Sequence, residues 1–376
     1  MNFSCTKQNL ADALLLVGGV AGKNPNLPIL NNVLLRASSQ GVEISSTNLD
    51  VAITATLRAI VTTEGSFTVP ARTLSEVVHF LSQEKVDLEL KETDLVVVCG
   101  KTTTKIKGMS ADDFPVIPTL DEGRGLVLDA DGLKTALLQV VPAVAKTDIR
   151  PELSGVLWSV TGQGGKNLVL AATDSYRLAE KSLPLVQGPG DDELRVILPG
   201  RCAQELLRLL GALQSPSGEQ RVRVLVGENQ VAINYGQVQL VSRLVAGGYP
   251  DYAQIIPQTF KTTAQFSVAE LSKETRAAGL FTTAGINAVI LTLKPQEGEV
   301  SISAASAQAG DYQSGVAAQV TGEENTVLLN HRYLLDGLSA LGGEQAELKM
   351  ISGDNPCLLT SPHDQAFRYI IMPVRQ

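Results

Sequence analysis

The feature that most constrains this 376-residue chain is a pattern that returns three times. It reads FTVPARTLSEVVHFL from Phe67, VILPGRCAQELLRLL from Val196 and VLLNHRYLLDGLSAL from Val327. Each time an apolar strand runs into a short turn, an arginine (Arg72, Arg201 or Arg332) and a helical pattern. The apolar positions are Leu74, Val77, Val78 and Leu81, then Ala203, Leu206, Leu207 and Leu210, then Leu334, Gly337, Leu338 and Leu341. This i, i+3, i+4, i+7 spacing buries one face per helix. An acid follows each arginine by four residues (Glu76, Glu205, Asp336), where an ion pair would contribute roughly a few tenths of a kcal/mol.

Other landmarks keep the same order. A strand leads into a helix at Phe3 (FSCTKQNLADAL), at Leu126 (LVLDADGLKTAL) and at Gln265 (QFSVAELSKETRAA). Alternating apolar and polar runs around glycine turns follow, the mark of antiparallel hairpins with one buried face. The period is about 130 residues, beyond the 20–50 of solenoids, so each repeat is a whole domain. Turn-rich segments near 121–125 and 257–263 divide the chain into domains 1–122, 123–259 and 260–376. The expected class is α+β: three similar domains, each of two helices packed on antiparallel sheets.

Open strand edges are an aggregation hazard and need partners. If edges pair between domains and then between chains, the arc closes into a ring, the usual outcome for oligomers. Two chains would supply twelve helices. At about 10 Å per helix the axes would lie on a circle of roughly 120 Å, leaving roughly 25–30 Å clear, wide enough for duplex DNA. The net charge of −8 opposes simple nucleic-acid binding, but a locally positive lumen inside an acidic exterior removes the conflict. The helical segments carry Lys7, Arg72, Lys134, Lys146, Arg201, Arg208, Lys273, Arg276 and Arg332.

Composition narrows the chemistry. Cys5, Cys99, Cys202 and Cys357 are scattered without a CxxC, and His79, His331 and His363 lack metal-ligand spacing, so no metal or cofactor is expected. The N-terminus lacks a basic segment followed by an apolar one, and no apolar run reaches the length of a membrane span, so a cytoplasmic protein is expected. GGVAGKN has the outline of a phosphate-binding loop, but its first glycine is one residue too close and Asn24 replaces the Ser or Thr that would hold magnesium. ATDSYRL gathers an Asp, a Ser and a Tyr without a histidine base. A scaffold with no nucleic-acid role would suit the acidic charge and the repeats.

Four stretches discriminate among these readings: NPNLPILNNVLL (Asn24–Leu35), ATDSYRLA (Ala172–Ala179), SRLVAGGYPDYAQIIP (Ser242–Pro257) and YIIMPVRQ (Tyr369–Gln376). Through them the chain resembles, from end to end, the bacterial DNA polymerase III beta subunit family, the replicative sliding clamps. The resemblance implies a DNA-clamp fold and no enzymatic activity. It implies a head-to-tail homodimeric ring that encircles duplex DNA without reading sequence and tethers the replicative polymerase for processive synthesis. The implied partners are the polymerase III catalytic subunit, the clamp loader and other replication and repair proteins. These dock short peptide motifs between the second and third domains.

Carried over by position, the implied peptide pocket uses Leu153, Thr173, Ser175, Arg177, Leu178, Pro250, Ile255, Asn330, Tyr333, Pro356, Met372, Pro373, Val374 and Arg375. Aliphatic side chains with a few polar groups suit a Leu- or Phe-anchored peptide. Ser175 and Tyr176 stand where the family often has Gly and His, and Gln254 where an Arg is familiar, which bears on peptide preference. The implied DNA contacts are Lys23, Asn24, Arg72, Lys146, Arg150 and Arg201. The implied dimer seam joins the strand holding Lys105 and Ile106 to the helix around Arg276 and Leu280.

Overall fold

The first helix begins where its sequence supplies a cap: the Thr6 hydroxyl accepts from the Asn9 amide at 3.1 Å. In the computed structural model, which describes residues 1–22, 26–120, 122–147, 149–160, 166–190, 193–213, 220–283 and 285–375, six helices are present. They are α1 (Lys7–Gly18), α2 (Ala71–Phe80), α3 (Ala130–Val140), α4 (Gly200–Ala212), α5 (Val268–Gly279) and α6 (His331–Leu341). Each falls on one of the helical patterns in the repeats. Helix α1 buries Leu10, Ala13, Leu14 and Val17, and α6 buries Leu334, Gly337, Leu338 and Leu341. Ser267 caps α5 and Asn330 caps α6.

The strands pair antiparallel throughout, so the fold is α+β as expected. The chain divides into two compact units. The first comprises Met1–Lys134, Leu185–Asp192 and Arg201–Leu244; the second comprises Thr135–Pro184, Glu193–Gly200 and Val245–Gln376. The first unit holds two sheets. A five-stranded sheet runs Ala59–Thr63, Asn2–Thr6, Lys85–Lys91, Asp94–Cys99, Thr102–Lys107. An eight-stranded sheet joins strands from the first two repeats, because Val51–Leu57 pairs with Val238–Arg243. The second unit holds one twelve-stranded sheet, in which Arg177–Pro184 pairs with Asp364–Ile371. The sheets therefore run on across the joins between repeats.

One edge from each side of such a junction stays open. Gly310–Ala317 pairs only with Glu299–Ser306, and Thr102–Lys107 only with Asp94–Cys99, among the described residues. These are the third-repeat and first-repeat counterparts of strands that pair with each other elsewhere in the chain.

The arginine–acid spacing closes as an ion pair only once, at Arg72–Glu76 (2.7 Å). Glu205 instead meets Arg208 at 2.8 Å, because the Arg208 guanidinium donates to the carbonyls of Leu15 and Leu16 and holds the end of α1. Asp336 is taken by Arg177. Tertiary partners outweigh helical spacing here, since an exposed i, i+4 pair contributes so little. Gly337 replaces the apolar residue of the other two repeats because a Cβ there would lie 2.6 Å from the Tyr369 ring.

Candidate functional site

The candidate pocket is built on the turn between Asn167–Thr173 and Arg177–Pro184. The Thr173 hydroxyl accepts from the Ser175 amide (3.1 Å) and donates to the Arg177 carbonyl (2.6 Å). Asp174 Oδ1 accepts from the amides of Tyr176 and Arg177, both at 3.0 Å. These bonds hold Ser175 at φ 76°, a left-handed conformation that non-glycine residues seldom adopt. The turn presents Ser175 and the Tyr176 ring to solvent.

Arg177 turns inward and is 4 % exposed. Its Nε donates to Asp174 Oδ2 at 3.0 Å, and its Nη1 donates to Asp336 on α6 and, at 3.4 Å, to the Tyr369 hydroxyl. The guanidinium carbon lies 4.5 Å from the centre of the Tyr333 ring, and Tyr176 stacks on the same ring at 6.4 Å. Burial works against the Arg177 charge, but Tyr369, Asp336 and Asp174 outweigh it and raise its pKa. Arg177 therefore sets the position of Tyr333 as an ion-paired support.

Below the turn, Leu178, Ile256, Leu358 and Ile370 form an apolar cluster against which Met372, Tyr252 and Phe260 pack. The C-terminal segment is fixed by two bonds: the Met372 amide donates to the Tyr176 carbonyl (2.9 Å) and the Val374 amide to the Leu328 carbonyl (2.8 Å). Val374 and Arg375 line a cavity of about 490 Å³ with Ile290, Leu328 and Asp354. Leu153 belongs to a neighbouring cluster with Leu157, Ala171, Ile197 and Tyr249 and is core. Pro250, Asn330, Pro356 and Pro373 are half-buried, and Ile255 is 37 % exposed. The structure thus brings Thr173, Arg177, Leu178, Tyr333 and Met372 into one constellation, with Val374 at its edge.

Sequence reading did not single out Asp174, Asp336, Tyr252 and Phe260 for this site. The two acids carry a legible signal only in hindsight: a buried arginine needs carboxylates. The two aromatics carry none, because the cluster they pack against joins Leu178 to Leu358 and Ile370, residues far apart in sequence.

Of the expected DNA contacts, Lys23 and Asn24 lie outside the described residues. Arg72, Arg201, Lys146 and Arg150 are exposed, and Arg150 is paired with Glu152 at 2.9 Å. At the expected seam, Lys105 is exposed on the open strand Thr102–Lys107 while Ile106 is buried, and Leu280 is 76 % exposed at the end of α5. The four cysteines are free and buried, and burial pushes the thiols of Cys5, Cys202 and Cys357 up to about 12. Among the described residues no cluster of potential metal ligands occurs, and no helix is long and apolar enough to cross a membrane.

Repeated two-helix modules sharing continuous antiparallel sheets define the class of clamp-fold proteins. Residues 1–118, 127–251 and 253–375 match, in order, the N-terminal, central and C-terminal domains of the DNA polymerase III beta subunit. The chain belongs to that family. It is 31 % identical to the beta sliding clamp of Bacillus subtilis over the whole of both chains, and 27 % identical to that of Synechocystis over 100 % of this chain and 99 % of the relative. The B. subtilis sliding-clamp crystal structure superposes with a TM-score of 0.92 at 29 % identity, covering 100 % of this chain and 99 % of that one. The Pseudomonas aeruginosa sliding clamp bound to griselimycin gives 0.91 at 26 %, covering both chains fully.

Proposed function

We propose that two copies of this chain join head to tail into a ring that encircles duplex DNA and holds the replicative polymerase on it. The protein is a sliding clamp, a processivity factor and not an enzyme. The observation that supports the ring is the edge inventory: two of three equivalent junctions close within the chain, and one edge of each kind is left over. Gly310–Ala317 of one copy is the natural partner for Thr102–Lys107 of the next, a heterologous contact that generates rings when the rotation closes. Leu280 and Arg276 would flank that seam, together with Lys105 and Ile106.

In this reading the modules run 1–122, 123–259 and 260–376, and the protein works in the cytoplasm. Lys23, Asn24, Arg72, Lys146, Arg150 and Arg201 would meet phosphates, contacts that need only mobile positive charge and carry no sequence information. The polymerase catalytic subunit, the clamp loader and repair proteins would dock peptide anchors over Leu178 and Met372, beside Tyr333. Ser175 would form the rim with Asn330, Pro356 and the Pro250–Ile255 segment, and the buried Thr173 and Arg177 would hold that rim in shape from beneath. Leu153 would support the floor, and Pro373, Val374 and Arg375 the far end.

The test is topological. The protein is loaded with its clamp loader onto a nicked circular plasmid, isolated at high salt, and the DNA is then linearised. Retention on the circle with loss from the linear form is the expected result. Equal loss from both in high salt would refute encirclement.

A further inference from the structure

We infer that the chain carries a second peptide-docking pocket, at the turn Thr47–Val51, for an extended segment with a bulky apolar anchor and a neighbouring acidic group. The inference rests on reading the Thr173–Arg177 turn as a peptide site. The two turns share one bonding scheme. The Thr47 hydroxyl accepts from the Leu49 amide and donates to the Val51 carbonyl, both at 3.1 Å, as Thr173 does with Ser175 and Arg177. Asn48 Oδ1 accepts from the amides of Asp50 (3.1 Å) and Val51 (2.8 Å), as Asp174 does from Tyr176 and Arg177. The Arg243 amide donates to the Asp50 carbonyl at 3.1 Å, where the Met372 amide donates to that of Tyr176.

Leu49 sits at φ 80°, beside the 76° of Ser175. Leucine is costly there, and such conformations persist where the surroundings over-determine them, often at binding sites. The third repeat, whose edge is open, builds a different turn with Gly310 at φ 91°.

What differs between the two turns is the lining. Thr47–Val51 borders a cavity of about 390 Å³, within the range of small binding sites. Leu49 (48 % exposed) and Val116 (93 % exposed) offer apolar side chains to it, above the buried Ala52 and Val241. Arg243 is exposed on the same lining and has no ion-pair partner among the described residues. Charge complementarity therefore calls for an acidic side chain or a C-terminal carboxylate near the anchor. Asp50 shares the rim and repels an acid at its own position, which gives the bound segment one direction.

The test uses the full chain and an acetylated five-residue peptide with leucine and phenylalanine anchors around one aspartate, carrying a benzophenone. Calorimetric titration should saturate at two peptides per chain, and photo-crosslinks should map near both turns. Val116→Glu combined with Arg243→Glu, both at exposed positions, should weaken the second site by about tenfold or more and leave the first unchanged. Met372→Glu should do the reverse. One peptide per chain, lost with Met372→Glu and indifferent to the Val116 and Arg243 changes, overturns the second pocket and leaves the first standing. Binding that survives Met372→Glu and fails with Val116→Glu overturns the first and keeps the second. No binding to the unaltered protein overturns both.

Discussion

At the scale of single residues, Arg177 and Asp364 carry the clearest consequences. Arg177→Met leaves Asp174 with a lost partner and Tyr333 without its support, so a cost of about 3 kcal/mol is expected in urea unfolding. Arg177→Lys should recover only part of it, since one ammonium cannot serve Asp174 and Asp336 together as the planar fork does. Asp364 is held by the Lys181 ammonium at 2.6 Å and the Gln139 amide at 3.1 Å. Burial alone would raise its carboxyl, but these donors outweigh it and leave the pKa lowered. Stability from a depressed carboxyl is present above its unfolded value of about 3.9 and is lost as pH falls through the lower folded value. Asp364→Asn should therefore lower Tm near neutrality, and the difference should begin to shrink only as melts are taken below about pH 4. Neither arrangement was legible from the sequence. The resemblance put Arg177 in the pocket wall, and only the fold sets Asp336 opposite it.

At the scale of elements, much could be read directly. The six helices follow apolar spacing, three of them with Thr6, Ser267 and Asn330 as caps, and the hairpins follow alternation around glycines, because both signals are local. The strand partners across repeats were not legible, because pairing between Val51–Leu57 and Val238–Arg243 depends on edges rather than on neighbouring residues. Gly337 shows the boundary between the two kinds of information. By helix propensity alone, Gly337→Ala on α6 should stabilise by about 0.8–1.0 kcal/mol. The Tyr369 ring stands 2.6 Å from the new Cβ, so overpacking of about 1–3 kcal/mol should prevail and the variant should unfold at lower urea. The pocket was legible as a set of positions supplied by family resemblance. The part played by Tyr252 and Phe260 was not, since those rings join the cluster of Leu178, Ile256, Leu358 and Ile370 only through the tertiary fold.

At the scale of the whole molecule, the open edges predict the behaviour of the assembly. Leu280→Asp places a charge where the proposed seam would desolvate it, so self-association should weaken by about a hundredfold or more, and sedimentation should shift toward single chains with helix content unchanged. The same continuity of sheets bears on how the protein is made. Arg177–Pro184 emerges from the ribosome about 190 residues before its partner Asp364–Ile371, which at roughly 5–20 residues per second means a wait of about 10–40 s. During that interval the nascent chain exposes a bare strand flanked by apolar side chains, a template for pairing with neighbouring nascent chains on the same message. Mispairing is thus a hazard of synthesis itself, and chaperone demand should fall once the final strand has left the exit tunnel.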